Sequence, residues 1–147
     1  MLVTLSEILN LAREKHCAVG AFNTPNLECI TAVIRSAEEL NVPVIISHAE
    51  LHEAVSPIDI IGPVMIMAAK NARVPVCVHL DHATDLPLIE AAIRAGVSSV
   101  MYDGSVLPFE ENAARTAEVV KIAHAAGVTL TFLFLFFIMN SPIHLYL

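Results

Sequence analysis

The residues best suited to chemistry close an apolar run, Val74-Pro-Val-Cys-Val-His-Leu-Asp-His82. Strand-forming side chains lead into His79, Asp81 and His82. Ionisable groups at the end of a buried strand are costly unless something uses them. An α/β protein builds its site at the carboxyl ends of its strands. In that position Asp81 beside His82 offers a proton carrier next to a metal ligand. Taken alone, an Asp-His pair after a strand is more often a turn and a satisfied histidine. His79 lies two residues before Asp81, on the same face but one layer deeper. It is read as a hydrogen-bonding core residue rather than a ligand. His48 and His52 follow an earlier apolar run and are read as surface loop histidines.

The elements that would position these residues alternate between two periods. Thr4 to Lys15 reads as a helix, with Thr4 as N-cap and Glu7 three residues on. Ala18 to Phe22 reads as a short buried strand, broken by Asn23-Thr-Pro-Asn26. Leu27 to Leu40 is amphipathic, with Ile30, Val33, Ile34 and Ala37 on one face. Val42 to Ser47 is a second strand and Pro57 to Asn71 a helix. Val74 to Leu80 is the third strand. Leu86 to Ala95 is a helix closed by Gly96. Val97 to Tyr102 is the fourth strand, ending at Asp103-Gly104, and Pro108 to Ala126 the next helix. Val128-Thr-Leu130 begins like a fifth strand. This repeated alternation specifies a parallel sheet with crossover helices. The near-continuous apolar strands agree, since such sheets are covered on both faces.

Bulk properties narrow the function. The chain has 147 residues, enough for one domain with a real core. Its net charge of -7 argues against a nucleic-acid surface. Cys17, Cys29 and Cys77 are odd in number and far apart, so they are read as reduced thiols of a cytoplasmic protein. The N-terminus lacks a basic region followed by an apolar stretch, so no signal peptide is expected. From Thr131 onward the composition changes: no Asp, Glu, Lys or Arg follows Lys121, and five of the eight aromatic residues fall after position 130. The apolar run from Val128 to Met139 would be about 18 Å long as a helix, against the ~30 Å of a membrane core. A membrane anchor is therefore not expected. Residues 131–147 are read instead as an aberrant tail, of the kind a frameshift or premature stop near residue 130 would leave.

Four segments carry a resemblance to the class II, zinc-dependent ketose-bisphosphate aldolases, the fructose- and tagatose-bisphosphate type. They are Ala18-Val-Gly-Ala-Phe-Asn23, Pro43-Val-Ile-Ile-Ser47, His79-Leu-Asp-His82 and Met101-Tyr-Asp-Gly-Ser-Val-Leu-Pro-Phe-Glu-Glu-Asn112. They stand in the family's order and spacing. Each alone is weak; four in register on strand ends are not. The resemblance covers about residues 1–130, the N-terminal half of a family member. It implies a TIM (β/α)8 barrel of which the chain holds the first four βα units and an incomplete fifth strand.

The resemblance also implies roles. Asp81 is similar to the family's catalytic acid, which exchanges a proton with the aldehyde-derived hydroxyl. His82 resembles the first of three histidine ligands to a catalytic Zn2+. Asp103 matches a carboxylate that members can use for a second divalent metal. Ser47 and Asn23 match positions lining the substrate site. The implied reaction is reversible cleavage of a phosphorylated ketose to dihydroxyacetone phosphate and an aldehyde, in carbohydrate metabolism, by a homo-oligomer. The other two histidines and the phosphate-binding segments lie on later strands of the family, so the chain by itself is expected to be inactive. A non-catalytic half barrel that self-associates is the alternative. The residue types suit the metal route. Lewis-acid stabilisation of a developing enediolate needs zinc on neutral imidazoles. The other aldol route needs a lysine Schiff base. Lys15, Lys70 and Lys121 all fall within or at the ends of helical segments, away from any strand's carboxyl end.

Overall fold

The computed structural model describes residues 1–133, 137–138 and 141–142. Each helix forms where its own sequence asks for it. Helix α1 spans Leu5–Glu14 and opens with the expected capping box: the Thr4 hydroxyl accepts from the Glu7 amide, and the Glu7 carboxylate accepts from the Thr4 amide. Helix α2, Leu27–Leu40, starts on Asn26, whose side chain accepts from the Cys29 amide. It ends at Asn41 in the left-handed conformation. Helix α3 runs Ile58–Asn71, α4 Leu86–Ala95 and α5 Phe109–Ala125. Gly96 closes α4 at φ 97°, a value only glycine adopts without strain.

Five strands, β1 (Ala21–Asn23), β2 (Val44–Ala49), β3 (Val76–Ala83), β4 (Ser99–Asp103) and β5 (Thr129–Leu133), form one parallel sheet. Their order is β1-β2-β3-β4-β5. Right-handed crossovers between successive neighbours, with no reversal of order, place every crossover helix on the same face. That is the winding of a (β/α)8 barrel, not of a doubly wound sheet. On the helix-covered face, Ile46, Val78, Leu80 and Val100 pack against Ile30, Ile58, Met65 and Ile89. On the opposite face, Ile45 and Cys77 pack against Leu5 and Ile8 of α1. Helix α1 thus plugs the end of the inner face where the strands begin.

The strands differ from the sequence reading in a consistent way. β2, β3 and β4 each begin two residues later than the apolar runs do and continue into the polar residues that follow. Val74 is buried in an entry loop, so hydrophobicity alone overestimates the ladder there. β1 is three residues long, and all three are exposed rather than buried. It is an edge strand, paired among the described residues only with β2. The Phe-rich segment expected to be an aberrant tail begins inside β5, whose Thr131, Phe132 and Leu133 pair with Met101, Tyr102 and Asp103. Beyond Leu133 only a short antiparallel pairing of 137–138 with 141–142 is described, and the rest of that expectation lies outside the described residues.

Candidate active site

The inner face of the sheet is built in layers. Strand registers join Asn23 to Ser47, Ser47 to His79, His79 to Ser99 and Ser99 to Thr129. One rung therefore crosses all five strands with a polar side chain at every position. It lies directly above the apolar rung of Ala21, Ile45 and Cys77, of which α1 covers Ile45 and Cys77. Ser47, His79 and Ser99 on this rung are buried, while Asn23 on the edge strand is exposed. His79 Nδ1 and Ser99 Oγ hydrogen-bond at 2.9 Å. Burial drives the His79 imidazole down to about 4, so it is neutral at physiological pH. Its Nε2 lies 3.8 Å from an Asp81 oxygen, beyond hydrogen-bond length. His79 is thus the satisfied core histidine the sequence indicates.

Above this rung β3 breaks its alternation. Leu80 pairs with Val100, but the next partners are Ala83 and Tyr102. Three residues on β3 span what two cover on β4, which is a β-bulge. Leu80 and Ala83 are both fully buried. Regular alternation would have sent residue 82 into the helix-packed core beside Leu80. The extra residue instead lets two consecutive polar residues, Asp81 and His82, escape that core. His82 adopts φ 51°, the left-handed region that a non-glycine residue occupies only when its surroundings hold it there.

Asp103, at the end of β4, orients the imidazole. His82 Nδ1–H donates to Asp103 Oδ2 at 2.8 Å, and the other carboxylate oxygen accepts from the Ser105 amide at 3.0 Å. Burial raises the Asp103 pKa, but hydrogen bonds from His82 and Ser105 outweigh it and hold the carboxyl below its ordinary value. The same hydrogen bond raises the His82 pKa. An ionised carboxylate is acceptor only, so Nδ1 carries the proton and Nε2 of the neutral ring is left with its lone pair. A carboxylate behind a histidine in this way is the arrangement that prepares imidazole for a metal. The His82 side chain is 55% exposed, so that lone pair is accessible. The donor chemistry fits zinc, but the number does not: among the described residues no three His, Cys, Asp or Glu side chains converge on one metal position. Asp103, which the resemblance matches to a second-metal carboxylate, accepts one hydrogen bond on each oxygen.

The structure brings Asp81, His82 and Asp103 to the carboxyl end of the sheet and places Ser47 and Asn23 one rung below Asp81. His48, read as a surface histidine, is instead a strand residue with no exposed surface. Its Nε2 lies 2.6 Å from Glu53 Oε1, which also accepts from the Ile58 amide and so ties β2 to the start of α3. That carboxylate, five residues on, makes burial of the ring tolerable. Asn112, which has no evident role in the sequence, is buried against Gly104. A Cβ on Gly104 would stand 2.2 Å from Asn112 Oδ1, so only glycine fits after Asp103.

Comparison with known proteins agrees with this fold. The family model described as fructose-bisphosphate aldolase class-II matches residues 3–131. The chain is 42% identical over 137 residues to the probable fructose-bisphosphate aldolase of Bacillus subtilis, covering 88% of this chain and 46% of that protein. It is 44% identical over 130 residues to the fructose-bisphosphate aldolase of Thermus caldophilus, covering 88% and 42%. Among solved structures, the YdjI aldolase of Escherichia coli K12 superposes with a TM-score of 0.86 at 35% identity, covering 90% of this chain and 50% of that one. Fructose-bisphosphate aldolase of Campylobacter jejuni superposes with a TM-score of 0.78 at 27% identity, covering 89% and 46%. The chain spans about half the length of the relatives it matches.

Proposed function

The chain belongs to the class II fructose-bisphosphate aldolase family, and from that premise we propose that its Asp81–His82 segment serves zinc-dependent, reversible aldol cleavage of a ketose bisphosphate. The products are dihydroxyacetone phosphate and an aldehyde. The observation that carries the reading is the bulge: it frees Asp81 and His82 together from the core, with Asp103 fixing the imidazole so that Nε2 is available.

Asp81 passes a proton to and from the hydroxyl that becomes the aldehyde. Its carboxylate is partly exposed at the carboxyl end of β3. Ser47 and Asn23, one rung below, line the substrate's approach. His82 Nε2 would hold the zinc as one of its ligands, and Asp103 acts through His82 by fixing its ring. When bound, zinc supplies Lewis acidity that stabilises negative charge on the substrate. Its remaining ligands come from outside the described residues, in keeping with the later-strand histidines that the family resemblance implies. Turnover therefore needs those donors as well as this chain's described residues. The protein works in the cytoplasm on small phosphorylated sugars, without nucleic-acid or membrane partners.

The test is release of triose phosphate from fructose and tagatose bisphosphates, with zinc content measured in parallel. In a protein that also carries the donors absent from the described residues, Asp81→Asn should lower turnover by about 10²- to 10⁴-fold with zinc retained. His82→Ala should lower zinc content itself. Undiminished turnover in Asp81→Asn would refute the assignment.

A second reading has its own observation. The β1 edge is exposed, Phe22 is 50% accessible, and a 340 Å³ apolar groove lined by Phe22, Val33, Leu40 and Val44 opens beside it. An open edge next to apolar surface favours self-association. Sedimentation showing only monomer at micromolar concentration would count against this homo-oligomeric form.

A further inference from the structure

The bulge places Asp81 and His82, but a left-handed histidine does not hold itself. The restraint comes from the neighbouring strand. β2 ends at Ala49, which pairs with Asp81, two residues before β3 ends at Ala83. Glu50 follows Ala49 and opens a single 3-10 turn, Glu50–His52. Its carboxylate reaches across to the residue two beyond His82: Oε2 accepts from the Thr84 amide, and Oε1 accepts from the Thr84 hydroxyl at 2.9 Å. Both oxygens thus grip one residue. Ala49 on one side and Ala83 on the other are buried, so each end of the bridge is rooted in the core. The segment Asp81–Thr84 is then held at three points: Ala83 in the core, Thr84 by Glu50, and His82 by Asp103.

Asp85, at the N-cap of α4, makes no side-chain cap; the carboxylate that accepts from the backbone here is Glu50, from the turn that follows β2. Charge-assisted hydrogen bonds to a carboxylate are about twice as strong as neutral ones, and two on one residue fix its orientation as well. A strained φ persists only where the surroundings over-determine it.

We infer that Glu50 is a positioning residue for the reacting segment: its two-point grip on Thr84 holds His82 in the left-handed conformation that aims the imidazole at Asp103 and away from the core. The inference rests on Asp81–His82 being the reacting segment. It adds to that reading a residue from the turn after the neighbouring strand, which acts through Thr84.

The test is NMR and amide exchange on the full 147-residue chain for Glu50→Ala, Glu50→Gln and Thr84→Val. Glu38→Ala is the control, because Glu38 also clamps a distant segment, through the Arg73 amide and guanidinium. In Glu50→Ala, exchange of the Thr84 amide should accelerate by roughly tenfold or more, as expected for a lost hydrogen bond to a charged group. The His82 backbone shifts should leave the left-handed pattern, and the His82 Nδ1–H signal should weaken. Glu50→Gln and Thr84→Val, each removing part of the grip, should show smaller changes in the same direction. Glu38→Ala should leave all His82 signals in place. If Glu50→Ala does not fold, the two milder variants decide. Unchanged His82 signals in the folded Glu50 and Thr84 variants would overturn the proposal. These readouts need no turnover, so an absent aldolase activity would remove the reading above without affecting their answer.

Discussion

Gly104→Ala should destabilise the protein and loosen the site at once. The added Cβ would lie 2.2 Å from Asn112 Oδ1, 2.6 Å from its Cγ and 2.9 Å from Tyr102 Cε1. Contacts under 3 Å force something to move. Asn112 is 2% exposed on α5, and its Oδ1 accepts from Thr116 Oγ1 at 3.1 Å, so it cannot swing into solvent without giving up that bond. Overpacking of this kind costs about 1–3 kcal/mol, and the broken hydrogen bond about 1 more. A total of about 2–4 kcal/mol follows, and the lower end applies if the helix gives way. For a chain of this size each kcal/mol lowers Tm by roughly 2–4 °C, so a fall of about 4–16 °C is expected in thermal unfolding followed by circular dichroism. Because Gly104 follows Asp103, any retreat of β4 also pulls the carboxylate from His82. The reasoning has a built-in check, since Asn112→Ala in the Gly104→Ala background should recover part of the loss by removing the atoms struck. A Tm within about 1 °C of wild type for Gly104→Ala would refute the account.

Further outcomes follow from other parts of the structure. Thr4→Ala removes half of the capping box of α1 and should cost about 1 kcal/mol in urea unfolding; no loss would mean that α1 is held by Leu5 and Ile8 alone. Burial keeps His79 neutral in the folded state with a pKa of about 4, below its unfolded value near 6.5. The unfolded chain therefore takes up the proton first, and stability should fall as pH drops from about 6.5 towards 4. His82 shifts the other way: its contribution is fully present below about 6.5 and is lost as pH rises through its raised folded pKa. Its side chain is largely exposed and solvent-screened, so the His79 loss should dominate, and His79→Gln should flatten the acid limb of stability against pH. Burial pushes the Cys77 thiol up to about 11, whereas Cys17 is exposed; a thiol reagent should modify Cys17 quickly and leave Cys77 unreacted until unfolding.

The legible part of this protein was the part that local chemistry decides. Capping residues and 3.6-residue periodicity placed α1, α2 and α4 to within a residue at each end. Gly96 stopped its helix because only glycine takes that φ cheaply. Polar residues closing an apolar run marked Asp81 and His82, and the order of four segments gave the family. The strand limits were less legible, because a ladder is defined by its neighbour: Val74 is as apolar as Val76 yet belongs to a loop.

What the tertiary structure alone decided is which way the site residues face and what holds them. The sequence around His82 alternates smoothly, and alternation would bury it; one extra residue against β4 reverses that. The polar rung from Asn23 to Thr129 exists only as a register among five strands. Glu50 and Thr84 are 34 residues apart, as remote in sequence as neighbouring strands make them close in space. Hydrophobic pattern is carried by each segment alone, so it survives reading one strand at a time. Register, bulges and cross-strand clamps belong to pairs of segments, and pairing is settled only when the whole sheet closes on its helices.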